Sequence, residues 1–125
     1  MQRPLPHPDT HCVAGYALQG LEDHNAAILE YQKAIQLKPD YVEALVDLGN
    51  AYLELDRGEQ AVAPLKRAAE LMPECLQAHD FLGVACLKTG DPQSAAEQLQ
   101  IVKGLDPTFE GSLSKLLSTE KASGR

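Results

Sequence analysis

The 125-residue sequence has no tryptophan, only 5% aromatic residues and fewer bases than acids. Its 11 Lys and Arg against 18 Asp and Glu give a net charge of −7, the wrong sign for neutralising nucleic-acid phosphates or anionic lipid. It has no run of about 18 apolar residues, as a membrane span needs, and no charged start followed by an apolar run, as a secretory signal has. These absences predict a protein that binds neither nucleic acid nor membrane.

Cysteine is scarce too, and its three copies cannot all pair within one chain. Cys12, Cys75 and Cys86 are widely spaced, and Cys86 falls in an apolar helical pattern, so no disulfide framework is indicated. We therefore predict a reducing, cytoplasmic location, unless the chain is part of a longer one that carries a targeting signal.

What the sequence does contain is a period of 34 residues, marked by Pro39, Pro73 and Pro107. A shift by that period superposes further sets of small or apolar residues. These sets are Gly15, Gly49 and Gly83; Ala27, Ala61 and Ala95; Tyr31, Leu65 and Leu99; and Ala34, Ala68 and Val102. Such self-similarity is typical of stacked repeats, in which each unit buries its apolar face against its neighbours.

Each unit reads as two helices. In the middle unit Leu45, Leu48 and Tyr52 recur at helical spacing, and Leu65 and Ala68 do the same after a break at 56–58. The helix after Pro39 is predicted to start with an Asp40 and Glu43 capping box. In the third unit, Gly90 is predicted to end the first helix, with Asp91 as the cap and Pro92 in the first turn of the second. Pro64 is expected to bend its helix.

The three glycines lie inside predicted helices, where glycine costs about 1 kcal/mol relative to alanine. We predict that Gly15, Gly49 and Gly83 face Ala27, Ala61 and Ala95 and let the paired helices approach closely.

With these residues the sequence resembles the tetratricopeptide repeat (TPR) family. The run Leu48-Gly49-x-x-Tyr52 with Ala61, Leu65, Ala68 and Pro73 reproduces the family pattern, except that Leu45 stands where the family has tryptophan. The third unit matches through Leu82-Gly83, Ala95, Leu99 and Pro107. The resemblance implies an all-α fold, a right-handed superhelix of three helix pairs and a seventh capping helix.

The predicted organisation is one TPR domain over residues 9–120, with repeats at about 8–41, 42–75 and 76–109 and a cap helix at about 109–120. The proline-rich residues 1–8 are predicted to be a flexible leader, and residues 121–125 a frayed tail.

In TPR domains the first helix of each pair lines the concave side, so the resemblance implies a groove formed by those helices. Helical spacing then selects its residues. The first unit contributes Asp9, Cys12, Val13, Tyr16 and Gln19, and the third contributes Lys88. We predict that ten of the groove residues bind the peptide: Tyr16, Glu43, Val46, Asp47, Asn50, Glu54, Gln77, Asp80, Phe81 and Val84. We call this surface the concave groove.

The concave groove mixes five acids and one base with apolar side chains, which suits an extended peptide carrying Lys or Arg beside an apolar anchor. Two alternatives remain open. The acids could serve only for solubility, or the chain could be a structural adaptor that self-associates or bridges subunits through its convex face or ends.

Some family members grip a chaperone's C-terminal carboxylate with basic residues, but the matching positions here are Cys12, Tyr16, Asp47, Gln77 and Asp80. The resemblance thus predicts that acidic chaperone tails are poor ligands.

No enzyme, cofactor or metal site is predicted. Cys75, His79 and Cys86 could be drawn as three zinc ligands, yet His79 and Cys86 occupy core positions of the repeat. Cys12 and His11 are adjacent, about 100 degrees apart on a helix, which is poor geometry for a nucleophile and its base. Phosphate-loop, calcium-loop and serine-elbow motifs do not occur.

Overall fold

The computed structural model describes residues 7–123, with side chains described through Ser118. Over this range the chain is entirely helical, with no strand, and forms seven helices joined by short turns. The helices are α1 (Pro8–Gly20), α2 (His24–Leu37), α3 (Val42–Glu54), α4 (Gly58–Leu71), α5 (Leu76–Lys88), α6 (Pro92–Leu105) and α7 (Ser112–Ser123). None of them is long and apolar enough to cross a membrane.

The period of the sequence is repeated in the helix starts. α1, α3 and α5 begin at residues 8, 42 and 76, and α2, α4 and α6 begin at 24, 58 and 92, each 34 residues after the last. Helices adjacent in sequence pack against each other from α1 through α6. The prediction of three stacked helix pairs is confirmed.

The curvature of the stack follows from which helices touch. α1 contacts α3 and α3 contacts α5, whereas within residues 7–123 neither α2 and α4 nor α4 and α6 are in contact. Because elements lie closer together on the inside of a curve, the layer of α1, α3 and α5 is the concave layer.

The repeated glycines are points of close approach, and at two of them the nearest atoms belong to a large side chain of the second helix. A Cβ on Gly49 would lie 2.3 Å from Leu65 Cγ, and one on Gly15 would lie 2.6 Å from Tyr31 Cε1. Tyr31 and Leu65 are fully buried. A large side chain of the second helix thus fills the space left by each glycine, one helical turn beyond the alanine that we predicted.

Gly83 breaks the pattern. A Cβ there would lie 2.3 Å from Leu113 Cδ2 in α7, so the neighbour is the last helix and not the partner helix α6. Leu113 is fully buried. α7 contacts α5 more extensively than α6 and continues the concave layer beyond α5.

Of the predicted helix caps, one is confirmed and one is wrong. Asp91 caps α6 by accepting a hydrogen bond from the Ser94 backbone N–H at 3.1 Å, with Pro92 in the first turn and Gly90 at φ +83° before it. At α3 the N-cap position is held by Tyr41, which makes no side-chain capping bond. The predicted Asp40 and Glu43 box is absent because the helix begins at Val42, one residue too late for Asp40 to cap it.

The ends differ from the predicted boundaries in position. Pro8 is already the first residue of α1, so the predicted leader, residues 1–8, ends before it, and residues 1–6 lie outside the described residues. α7 begins at Ser112, not at residue 109, and continues to Ser123. The predicted frayed tail overlaps this helix, and residues 124–125 lie outside the described range. Pro64 lies inside α4, which continues on both sides of it.

Candidate functional site

The ten residues predicted for the concave groove divide into buried and accessible sets. Val46, Asp80 and Val84 are buried, so they offer no surface to a peptide. Tyr16, Glu43, Glu54 and Gln77 are exposed, and Asp47, Asn50 and Phe81 are half-buried.

Two of the buried residues share one register position with Cys12, which is also buried. Cys12, Val46 and Asp80 are separated by 34 residues each, and they lie on the concave-layer helices α1, α3 and α5. The thiol of Cys12 reaches Asp47 on α3. This repeat position therefore lies in the contact between neighbouring helices. Helical spacing alone could not distinguish it from the adjacent positions whose side chains are accessible in the concave groove.

Asp80 is buried because it anchors α7. Its carboxylate accepts hydrogen bonds from the backbone N–H groups of Ser112 and Leu113, both at 3.0 Å. The first N–H groups of a helix have no partner within the helix, and a carboxylate is a strong acceptor for them. The prediction that Asp80 belongs to the binding surface is wrong. The sequence does contain a sign that α7 is capped from elsewhere in the chain. Glu110 and Gly111, which precede this helix, provide none of the side chains that usually cap a helix.

The concave layer contains a pocket of about 510 Å³ between α1 and α3. We call it the α1–α3 pocket. It is lined by Asp9, Cys12, Val13, Tyr16, Tyr41, Glu43 and Asp47. Tyr16 and Val13 are 71% and 68% exposed, which is unusual for side chains of their size and polarity.

Tyr41 is a pocket residue that the sequence analysis missed. Its hydroxyl donates a hydrogen bond of 2.7 Å to Asp9 Oδ1, which ties the turn before α3 to the start of α1. The residue precedes its helix and so falls outside any helical stripe. Lys38 lies over its ring, 5.0 Å from the ring centroid, but does not line the pocket.

The pocket is lined by three acidic side chains and, among the described residues, by no lysine or arginine. Burial, followed by the charge of the neighbouring Glu43, raises the pKa of Asp47 from 3.8 to about 6. Burial also raises the pKa of the Cys12 thiol to about 11, with Asp47 contributing in the same direction. The hydrogen bond to Asp9 raises the pKa of Tyr41. Lys88, the one base predicted for the groove, lies 3.3 Å from Asp56 instead.

One set of side chains could gather around a cation. The thiol sulfur of Cys12 and one carboxylate oxygen each of Glu43 and Asp47 lie within 4.8 Å of one another. Over the described part of the chain, no other three His, Cys, Asp or Glu side chains come together in this way. Cys75, His79 and Cys86, which the sequence offered as possible zinc ligands, do not form such a group among the described residues. His79 has both ring nitrogens in contact, with Gln98 Oε1 and with the Pro73 carbonyl, each at 2.7 Å.

Comparison with known proteins agrees with the architecture. A family model described as "TPR repeat" matches residues 15–56, and one described as "Tetratricopeptide repeat" matches residues 47–108. The chain is 30% identical over 96 residues to small glutamine-rich tetratricopeptide repeat-containing protein 2 of Mycosarcoma maydis, covering 77% of this chain and 27% of that protein. It is also 30% identical over 89 residues to anaphase-promoting complex subunit 7 of Mus musculus, covering 71% of this chain and 16% of that protein. The chain therefore spans about a quarter or less of these relatives.

Two solved structures have the same fold over nearly the whole chain. The first TPR of Spaghetti (RPAP3), bound to the HSP90 peptide SRMEEVD, superposes with a TM-score of 0.85 at 18% identity, covering 94% of each chain. The Sgt2 TPR domain of Aspergillus fumigatus superposes with a TM-score of 0.82 at 23% identity, covering 96% of this chain and 80% of that one.

The peptide in the first of these structures ends in acidic residues. Our expectation that acidic chaperone tails are poor ligands conflicts with what this neighbour binds, and we withdraw it. The repeat period, the helix pairs and both family matches lead to one conclusion: the chain belongs to the tetratricopeptide repeat family.

Proposed function

We propose that the chain is a non-enzymatic protein-interaction module that binds a short segment of another protein, basic and apolar in character, along the concave groove. The observation that carries this proposal is the α1–α3 pocket, in which the exposed side chains of Val13 and Tyr16 lie beside the acidic side chains of Asp9, Glu43 and Asp47. Exposed apolar groups among polar ones are the usual composition of a peptide-binding surface.

The accessible groove residues extend from this pocket towards the third repeat. Asn50 can hydrogen-bond a peptide backbone, which needs partners for its amides and carbonyls when it is covered. Phe81, half-buried beyond it, offers an apolar contact. We therefore propose Tyr16, Glu43, Asp47, Asn50, Glu54, Gln77 and Phe81 as the contact surface.

The second class of ligand is a peptide with an acidic C-terminal end, as in the neighbour that binds SRMEEVD. The SRMEEVD peptide carries an arginine and a methionine before its acidic end. That peptide is the natural comparison probe, because it offers both kinds of charge. Tighter binding of its acidic half alone than of a basic and apolar peptide would contradict the proposed preference.

The experiment is a fluorescence anisotropy titration of labelled heptapeptide pools against the wild type and a Tyr16→Ala, Phe81→Ala variant. We expect the variant to lose at least about tenfold in affinity, because aromatic contacts dominate such interfaces. Arg67→Ala, an exposed change on α4, is the control and should bind as the wild type does. Equal binding by the wild type and the groove variant would contradict the proposal.

The competing function is assembly with further copies or subunits, and one feature supports it. Leu37, Leu71 and Leu105 end α2, α4 and α6 at the same repeat position and are 46%, 37% and 43% exposed. Light scattering across a dilution series decides whether the chain self-associates, since a constant monomer mass at high concentration would exclude that form of assembly.

A cytoplasmic location remains a prediction. It rests on the three cysteines, all of which are free thiols in the structure.

A further inference from the structure

The side chains of Glu43 and Asp47 both line the α1–α3 pocket and lie on α3, one helical turn apart. Within the described residues Glu43 has no hydrogen bond or ion pair, and Asp47 receives only the weak Cys12 thiol contact at 3.9 Å. The third pocket acid, Asp9, is already bonded to Tyr41. Two carboxylates with unused acceptor capacity thus face the same cavity.

Such a pair is costly without a counter-charge, because like charges close together oppose ionisation and partial burial removes the water that would screen them. Within residues 7–118 no lysine or arginine lines the pocket. This part of the chain could have supplied a neighbouring positive group, as Lys88 does for Asp56. None of these described residues does so here, which leaves the pocket available to a cation from a ligand.

The shape and the remaining walls narrow the kind of cation. A cavity of about 510 Å³ is far larger than a bare ion needs. Val13 and Tyr16 provide apolar and aromatic surface at its edge, which suits an alkyl stem that carries a charge at its tip.

We propose that the α1–α3 pocket seats one lysine or arginine side chain of the bound peptide, with the charged head against Glu43 and Asp47 and the stem against Val13 and Tyr16. The inference rests on the proposed function and adds the position of the peptide along the concave groove. The basic residue lies at the first and second repeats, and the apolar part of the peptide lies towards Phe81.

The test uses heptapeptide pools that are identical except at the central position, which is lysine, arginine, norleucine or glutamate. Flanking positions are drawn from alanine, leucine, serine and glutamine. Norleucine keeps the stem and removes the ammonium group, so the lysine-to-norleucine affinity ratio isolates the charged contact. Every titration is run both without and with EDTA, which removes any metal ion bridged by Cys12, Glu43 and Asp47.

For the wild type we expect lysine and arginine pools to bind about tenfold more tightly than norleucine, the range of a charge-assisted hydrogen bond. A Glu43→Gln, Asp47→Asn variant should reduce that ratio to about one while still binding norleucine. Glu70→Gln removes an exposed acid of α4, outside the pocket and outside the proposed contact surface, and should leave the ratio unchanged.

The lysine preference should also fall with pH. The titratable groups around Asp47 are Asp9, Cys12 and Tyr16 of α1, Tyr31 of α2, Tyr41 of the turn and Glu43 of α3. Asp47 is the one whose pKa is raised to about 6, so the lysine-to-norleucine ratio should drop as the pH falls through that value.

The outcomes separate the two proposals. Equal binding of lysine and norleucine pools, or a lysine preference that survives the double change, overturns this inference alone. Loss of lysine binding on adding EDTA also overturns it, in favour of a metal-bridged ligand. If no pool binds, the proposed function fails as well.

Discussion

At the scale of single residues, Gly49 shows why a helix accepts a residue that disfavours it. The space that a Cβ would need is filled by the Leu65 side chain, which is fully buried. The packing of that leucine offsets the propensity lost at the glycine, because a buried leucine contributes about 2 kcal/mol or more.

We predict that Gly49→Ala lowers stability by about 1–3 kcal/mol, since a clash of this kind forces a packed side chain to move. The matched control is Gly104→Ala in α6, where a Cβ would meet nothing within 4 Å. There alanine should be neutral or stabilising by up to about 1 kcal/mol. Urea unfolding of both variants provides the measurement, and an unchanged midpoint for Gly49→Ala would contradict the packing.

Asp47 is a residue whose charge disfavours the fold. Its pKa is 3.8 when unperturbed and about 6 in the folded chain. The folded state therefore binds the proton more tightly, and the stability contributed by that proton is present below pH 3.8 and lost as the pH rises through about 6.

We accordingly predict that Asp47→Asn is more stable than the wild type at pH 7, by about 1 kcal/mol after allowance for solvent screening. Near pH 4 the difference should shrink. Melting temperatures at both pH values test this, with Glu54→Gln as the exposed control. A destabilised variant at pH 7 would show that Asp47 makes favourable contacts not accounted for by its burial. The same carboxylate is a proposed ligand contact, so the change should raise stability and weaken binding together.

At the scale of helices, α7 depends on one side chain outside itself. Asp80 satisfies two of its first N–H groups, and Leu113 fills the space above Gly83. We predict that Asp80→Ala costs about 1–3 kcal/mol, the range for a lost buried cap and acceptor.

The loss should be local. Hydrogen exchange of Asp80→Ala should speed up in α7, while α1 to α4 keep their protection. Asp80→Asn, which keeps an acceptor oxygen, should recover part of the effect. Uniform loss of protection along the chain would indicate instead that Asp80 supports the whole stack.

The helices could be predicted from the sequence wherever the repeat applies, and not where it ends. The 34-residue period predicts the starts of six helices, because Ala61, Leu65 and their counterparts recur at the same spacing in each unit. The role of Asp80 has no counterpart in the earlier repeats, since Val46 stands at its position and needs no partner. Likewise Tyr41 reaches Asp9 across 32 residues, a tertiary contact that no local pattern contains.

At the scale of the whole molecule, the net charge of −7 gives the proposed binding an electrostatic component. Charges on exposed side chains are screened over about 10 Å at 0.1 M salt and about 3 Å at 1 M. We predict that the lysine pool loses several-fold in affinity between these salt concentrations, whereas the norleucine pool changes little. Anisotropy titrations at both concentrations measure the slope, and parallel behaviour of the two pools would contradict an ionic contact.

At the third repeat, α7 covers the end of the concave layer. Leu113 of α7 is fully buried over Gly83, and α7 packs mainly on α5. The first helix of another repeat, or of a second copy stacked in the same way, could pack on this side of α5 only if α7 moved away. The seventh helix therefore sets a limit on how many units can be stacked in register at this end.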